Sequence, residues 1–166
     1  MPDDSLPLRP AVPEDLEPLA ALWHQGVHAA HAGLIPDALL ALRTRESMRE
    51  RLVPMLPRTT VAGPVGAPVG FCTIHDDELN QLYVAPAAQG RGVAMRLMAD
   101  AEDRLRAGGH VVAWLACAVG NDRAVRFYEK CGWRRAGTMT YGAETSSGPF
   151  PVETWRIEKR LEGRAG

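Results

Sequence analysis

The sequence predicts a mixed α/β fold in which helices flank a central, mostly antiparallel sheet. A first third with helical periodicity is followed by three short strand patterns with tight connections, which is typical of an antiparallel meander. A strand, helix, strand unit then spans residues 78–118, and two further strand patterns follow it. The chain has 166 residues, which predicts one domain, 1–166, with a core of its own.

Helical spacing dominates the first third of the chain. A short strand pattern at 6–10 precedes a run from Pro13 to Val27 in which apolar residues recur every three or four positions. The Gly33–Pro36 segment ends this helix, because glycine and proline both interrupt helical backbone. Two shorter helices are predicted at 37–42 and 46–56.

Three strands with short connections come next, at 59–62, 69–75 and 78–84. A glycine and proline loop at 63–68 joins the first two, and Asp76-Asp77 joins the second to the third. Connections this short join antiparallel neighbours, so the three strands predict a meander.

The next helix is the most clearly marked element of the chain. Its apolar positions keep the helical period from Val93 to Leu105, charged pairs lie four residues apart on its polar side, and Gly108-Gly109 ends it. The continuous apolar run at 111–116 predicts a strand that is covered on both faces. The strands at 78–84 and 111–116 are therefore expected to be joined by a right-handed crossover.

The last quarter predicts a short helix and a final pair of strands. Asn121-Asp122 caps the helix, which ends at Gly132. The strands are predicted at 133–141 and 153–158. With the strand patterns already named, they bring the sheet to seven strands.

Composition excludes several functional classes. With 19 basic and 20 acidic residues the net charge is −1, which is not the footprint of a protein that holds nucleic acid through its phosphates. No run of 18 apolar residues and no basic, apolar leader occurs, so we expect a soluble cytoplasmic protein without a membrane partner. Cys72, Cys117 and Cys131 are widely spaced, so we expect buried thiols rather than disulfides or a metal site.

The loop before the helix predicted from Val93 to Leu105 is a candidate phosphate site, since helix N-termini present free N–H groups and a positive dipole end. Gly90 and Gly92 allow close approach of the backbone. A Walker loop is excluded because no Lys-Ser/Thr follows, and a dinucleotide fingerprint is excluded because Met95 stands where its third glycine would be. A tight turn with no ligand is the alternative interpretation of this feature alone.

Three motifs in succession are more specific. They are Leu82-Tyr83-Val84-x-Pro86, then Gln89-x-x-Gly92-x-Ala94, then Asn121-x-x-Ala124-x-x-Phe127-Tyr128-x-x-x-Gly132-Trp133. This arrangement resembles the GCN5-related N-acetyltransferase (GNAT) family. Ala94 is a permitted variant in that family's acetyl-CoA signature, whereas Trp133 stands where the family usually has Phe.

The resemblance implies acetyl-CoA as co-substrate and a seven-stranded sheet that splays between its fourth and fifth strands. The splayed strand would bond the pantetheine arm through its backbone, and the helix N-terminus would bind the pyrophosphate. The residues expected to bind the cofactor are Leu82, Tyr83, Val84, Gln89, Gly90, Arg91, Gly92, Val93, Ala94, Met95 and Asn121.

The resemblance also implies catalytic roles. Tyr128 matches the family's general acid, and Glu78, four residues before Leu82, matches a carboxylate that many members use as base. A backbone N–H near Val84 would polarise the acetyl carbonyl. The alternatives are a core tyrosine at 128, and Asp76, His28 or His31 as the base.

The function predicted in this way is transfer of acetyl from acetyl-CoA to an amine, by direct attack in a ternary complex. A CoA-binding regulatory module without turnover is the alternative, and O-acylation or a longer acyl donor is a third possibility. Cys117 lies near the expected thioester, but direct transfer gives it no role as nucleophile. Small-molecule and protein amines both stay open as acceptors, and a homodimer, common in the family, is possible.

Overall fold

The computed structural model describes residues 6–161 and confirms the mixed α/β class. Within these residues, seven strands form a single sheet and five α-helices flank it. The strands are β1 (Leu8–Pro10), β2 (Thr59–Ala62), β3 (Gly70–His75), β4 (Glu78–Val84), β5 (Val112–Ala118), β6 (Arg134–Ala143) and β7 (Phe150–Arg160). The helices are α1 (Leu16–His31), α2 (Asp37–Leu42), α3 (Arg45–Met55), α4 (Val93–Ala107) and α5 (Asp122–Lys130).

The sheet has the strand order β1-β2-β3-β4-β5-β7-β6. Every neighbouring pair is antiparallel except β4 and β5, which are parallel and meet in register only at Glu78 and Trp114. Beyond this point β5 continues to pair with β7 as far as Ala118, while β4 continues to pair with β3. The sheet therefore opens between β4 and β5, as the resemblance implies.

A β-bulge accompanies this opening. The register between β3 and β4 shifts between Thr73 and Ile74. Thr73 pairs with Gln81 and Ile74 pairs with Leu79, so Asn80 of β4 has no partner in β3. An extra residue on one strand bends that strand and increases its twist. The bulge thus helps to turn the outer part of β4 away from β5.

Helices cover both faces of the sheet. On one face α1 and α3 bury Trp23 and Phe71, whose rings meet edge to face with centroids 6.1 Å apart. On the other face α4 buries its apolar side, including Leu97 and Leu105. The predicted charged pairs of α4 are present, with Arg104 Nε 2.8 Å from Asp100. None of the helices within residues 6–161 combines the length and the apolar character that crossing a membrane requires.

The last two strands are longer than the predicted 133–141 and 153–158. The edge strand β6 is mostly exposed, so it lacks the apolar alternation that marks a strand in sequence. The strand β7 begins at Phe150 and includes Pro151, which pairs only with Gly142 of β6 because β5 ends opposite Thr154. A proline is tolerated in a strand where one side needs no hydrogen-bond donor.

Candidate active site

The opening between β4 and β5 leads into a large cavity of about 860 Å³. Residues of α1, β4, the start of α4, β5, α5 and the β6–β7 hairpin line it. The cavity therefore reaches from the loop before α4 to the side of the sheet where α1 and α3 pack. This volume is in the range of small-molecule and cofactor sites.

The narrow end of the opening is closed by Asp77. Its carbonyl accepts a hydrogen bond from the Trp114 backbone N–H at 3.1 Å, and its carboxylate accepts one from the Trp114 indole at 2.9 Å. These two bonds join β4 to β5 next to the Glu78–Trp114 register pair. Asp77, which the sequence suggested only as a turn residue, thus fixes the point where the strands separate.

The start of α4 presents free backbone donors to the cavity. Gly92 caps the helix with φ 80° and no side chain satisfies the first N–H groups, which belong to Val93, Ala94 and Met95. Gly90 also has positive φ, 79°, and a Cβ built on it would meet no atom within 4 Å. All five residues line the cavity. This end of the cavity therefore offers uncapped donors, a helix dipole and open space for an anion.

Side chains around this helix start are partly tied to each other. The Gln89 side-chain oxygen Oε1 accepts a hydrogen bond from Arg123 at 2.9 Å, and both residues line the cavity. Asn121 caps α5 by accepting from the Ala124 N–H at 3.4 Å and also lines the cavity, so the capping role does not remove it from the lining. Arg91 is exposed and does not line the cavity, unlike the other predicted cofactor residues.

The outer part of β4 supplies the other wall of the opening. Leu82, Tyr83 and Val84 all line the cavity, and on the β5 side they have no partner strand within residues 6–161. The Tyr83 ring stacks on Phe71 with centroids 6.0 Å apart. Its side chain thus belongs to the core.

Tyr128 projects from α5 into the cavity between residues of the two separated strands. Burial raises the pKa of its hydroxyl above the ordinary 10.0, and the nearby Cys117 of β5 and Tyr83 of β4 add to the shift. Among residues 6–161 no group forms a hydrogen bond with this hydroxyl. It therefore holds its proton at neutral pH and is free to donate it to a ligand.

Glu78 is 6% exposed and lines the cavity from the narrow end of the opening. One of its oxygens accepts a hydrogen bond from the Tyr141 hydroxyl at 2.9 Å, and the other accepts one from the Asn80 amide at 3.1 Å. Burial raises the pKa of Tyr141, and the Glu78 carboxylate adds to this shift. The carboxylate is thus held in one orientation by two donors.

The other candidates for a base lie in different surroundings. Asp76 is exposed in the turn before β4, with φ 50°, and does not line the cavity. His28 also lies outside the cavity lining, and its Nε2 is 2.8 Å from the Arg43 carbonyl oxygen. His31 does line the cavity, and burial followed by the charge of Arg43 lowers its pKa. The neutral imidazole of His31 is therefore the one histidine alternative within the lining.

Cys117 lies in the cavity wall near Tyr128. Burial raises the pKa of its thiol to about 11, and Asp122 adds to the shift. A thiol that stays protonated at neutral pH is a poor nucleophile. This agrees with direct transfer rather than a thioester on the protein.

Sequence reasoning did not identify several polar residues of the cavity. Arg43, Arg51, Arg123, Tyr141 and Thr154 line it, and they come from α3, α5, the segment after α2 and the final hairpin. None of them belongs to the three motifs. An isolated arginine or threonine in a helix or strand pattern gives no signal in the sequence that it faces a cavity.

Comparisons with known proteins agree with this geometry. A relative described as an uncharacterized N-acetyltransferase of Mycobacterium tuberculosis is 38% identical over 67 residues, which cover 40% of this chain and 43% of that protein. The chain therefore spans less than half the length of that curated relative. The peptidyl-lysine N-acetyltransferase YjaB of Escherichia coli is 26% identical over 141 residues, covering 84% of this chain and 88% of YjaB.

A solved structure supports the fold, and a family model covers the whole motif region. PaiA N-acetyltransferase of Thermoplasma acidophilum, solved in complex with coenzyme A, superposes with a TM-score of 0.69 at 21% identity, covering 93% of this chain and 98% of that one. The model described as acetyltransferase (GNAT) family matches residues 21–133, which include the opening, the start of α4 and Tyr128. Since the matched segment exceeds half of the chain and contains most of the residues that line the cavity, this protein belongs to the GNAT acetyltransferase family.

Proposed function

We propose that the protein transfers an acetyl group from acetyl-CoA to an amine by direct attack in a ternary complex. The observation that carries the proposal is the convergence of three features on one cavity: uncapped N–H groups at α4, the opening between β4 and β5, and the Tyr128 hydroxyl. Acetyl transfer to an amine needs a site for the donor, an acid for the leaving thiolate and a base for the amine.

The residues present fit CoA. Free N–H groups from Val93 to Met95 and the open space at Gly90 suit the pyrophosphate, and Arg123 adds a cation beside them. The unpartnered edge of β4 suits an extended arm with amide groups, which binds as an added strand would. When bound, acetyl-CoA supplies the acetyl group and a thiol leaving group.

Tyr128 is proposed as the general acid. Its hydroxyl holds a proton at neutral pH, faces the cavity and lies where residues of β4 and β5 both contribute to its pKa. The same burial raises the pKa of the neighbouring Cys117 thiol to about 11. Negative charge on sulfur is thus disfavoured at this place, so a proton donor within reach would assist the departure of the thiolate.

Glu78 is proposed as the base that takes the amine proton, directly or through water. Its carboxylate is buried at the narrow end of the opening, and Tyr141 and Asn80 hold it in place. A general base must be positioned within hydrogen-bond reach of the proton or of one bridging water. The acceptor is therefore expected on the Glu78 and Tyr141 side of the cavity.

Binding of CoA is expected to stabilise the folded protein. At about 100 times its dissociation constant, a ligand that binds only the folded state contributes about 2.7 kcal/mol, which raises the Tm by about 5 to 10 °C in a chain of this size. Thermal melting with and without millimolar CoA measures this shift. An unchanged Tm would contradict both the enzyme and the CoA-binding module.

Turnover is tested by free-thiol release from acetyl-CoA over a panel of amines. A lysine peptide belongs in the panel because YjaB is named for peptidyl-lysine. We expect release that depends on the amine and yields its N-acetyl product. A protein that binds CoA and acetylates no amine would instead be the regulatory module.

Replacing Glu78 with Gln is expected to slow acetylation most at low pH. There the amine is protonated and needs a base, so we expect a loss of about 10²-fold in kcat/KM. As the pH approaches the pKa of the amine, about 10 for an alkyl amine, the neutral form becomes abundant and the loss should shrink. Rates from pH 6 to 10 for both proteins give the two profiles.

The matched control for this change is Tyr141→Phe, which removes a hydrogen-bond donor to Glu78 and leaves the carboxylate. We expect it to lower kcat/KM by less than about tenfold, since the base is kept and only its orientation is loosened. A loss for Glu78→Gln that is the same at every pH would assign Glu78 a structural role and return His31 as the candidate base.

A further inference from the structure

The acceptor side of the cavity contains two cations, Arg43 and Arg51. Arg43 follows α2 and is 7% exposed, and Arg51 lies on α3. Within residues 6–161 no carboxylate oxygen lies within 4.0 Å of either guanidinium. Two neighbouring cations are thus held in the wall of a cavity without an ion-pair partner.

The contacts that these cations do make leave donors unused. Arg43 donates to the backbone carbonyl of Glu144, and its own carbonyl is fixed by His28 at 2.8 Å. Arg51 lies over the Trp23 ring at 4.4 Å from the centroid, and one Nη is 3.8 Å from the Met48 sulfur. The buried Nε of Arg51 has no hydrogen-bond partner among residues 6–161.

An unpaired guanidinium in a buried position is unfavourable unless an anion compensates it. Burial and, after it, the charge of Arg43 lower the pKa of Arg51 to about 10, so the two cations repel each other. Glu144 offsets part of this charge but lies beyond salt-bridge distance. The missing compensation is what a bound anion would supply.

This pair of arginines lies close to the proposed base. The Tyr141 hydroxyl, which donates to Glu78, also feels the positive charge of Arg51, which opposes the rise in its pKa. A small molecule can therefore place an amine at Glu78 and an anionic group at Arg51. The buried Thr154 hydroxyl, which lines the same cavity and has no partner within residues 6–161, offers one more hydrogen bond.

We propose that Arg43 and Arg51 bind a carboxylate of the acceptor, so that the acceptor is an amine of the amino-acid type. The proposal rests on the proposed function, because it takes Glu78 as the place of the reacting amine. The planar fork of arginine matches a carboxylate with two parallel hydrogen bonds. A doubly charged phosphate is less suitable, because Glu78 and Glu144 line the same side of the cavity.

The test uses matched acceptors with the wild-type protein. Each of the common amino acids is compared with its carboxamide and its decarboxylated amine, alongside phosphoethanolamine and a peptide with an internal lysine. We expect at least one amino acid to exceed its carboxamide by about 10²-fold in kcat/KM, because the neutral analogue leaves the arginines unpaired.

Variants show whether this preference comes from Arg51. Arg51→Gln should lower kcat/KM for the preferred amino acid by about 10²-fold and change that of its carboxamide less than threefold. Arg51→Lys keeps the positive charge but lacks the planar pair of N–H donors, so an intermediate loss of kcat/KM for the preferred amino acid is expected. Arg49→Gln is the control on the same helix, since Arg49 is exposed and pairs with Glu17 at 2.5 Å outside the cavity.

Three outcomes would overturn the inference. The first is acetylation of neutral amines or of the lysine peptide as fast as that of any amino acid, which would leave the proposed function intact. A preference for phosphoethanolamine over every amino acid would reject the carboxylate. If Arg51→Gln and Arg51→Lys stay folded and keep the same preference for the amino acid, Arg51 does not bind its carboxylate.

If acetyl-CoA binds but no amine is acetylated, the proposed function fails. The carboxylate site is then tested by the binding of amino acids instead of by turnover. Calorimetric titration of the same amino acids into CoA-saturated protein then replaces turnover. Binding to the wild type that Arg51→Gln lacks would support the carboxylate site. No binding to the wild type would overturn it.

Discussion

Gly92→Asp is expected to weaken CoA binding by about 10³-fold while the protein stays folded. Gly92 caps α4 at the place where three uncapped N–H groups face the cavity. A carboxylate there meets the pyrophosphate as a like charge, and two unit charges about 4 Å apart near a protein surface repel by roughly 4 kcal/mol. Since each 1.4 kcal/mol is tenfold in affinity, the loss is about 10³-fold.

The control for this change is Gly92→Asn, which has nearly the same size and no charge. Gly92 has φ 80°, where a side chain costs about 1 kcal/mol and where Asn and Asp are tolerated best. Both variants should therefore lose similar, small amounts of stability, but only Gly92→Asp should lose most of its affinity for CoA. Calorimetric titration with CoA separates them. Equal affinity in Gly92→Asp and wild type would place the pyrophosphate elsewhere.

The part of the site proposed to bind CoA could be predicted from sequence because its signals are local. Gly90 and Gly92 precede a helix whose apolar period is regular, and both the period and the glycines can be read within one short window. The structure places all the predicted cofactor residues in the cavity lining except Arg91. A loop motif specifies the backbone path well but does not show which way an exposed side chain points.

Most polar residues of the proposed acceptor side could not be predicted, because they come from distant segments. Arg43 donates to the carbonyl of Glu144, 101 residues later, and Tyr141 donates to Glu78, 63 residues earlier. Such contacts depend on how the segment after α2 and the β6–β7 hairpin fold back over the sheet, and no periodicity encodes this. The same reason explains Asp77, whose turn position was evident but whose bonds to Trp114 of β5 were not.

Tyr128→Phe is expected to lower kcat by about 10²-fold or more, the usual contribution of one general acid. The change deletes only the hydroxyl and keeps the ring, which packs on Phe127 with centroids 5.6 Å apart. Within residues 6–161 the hydroxyl makes no hydrogen bond, so its removal breaks no contact of the folded chain. Stability and CoA affinity should therefore change little.

Steady-state kinetics at saturating acetyl-CoA and amine, with the Tm and the CoA dissociation constant of the same samples, separate the catalytic role of Tyr128 from a structural one. Because burial holds the pKa of Tyr128 above 10.0, the wild-type rate should show no fall from loss of this proton up to about pH 10. Full activity in Tyr128→Phe would remove the acid assignment. Activity that falls only together with the Tm would make Tyr128 a core residue, since a general acid affects kcat without affecting folding.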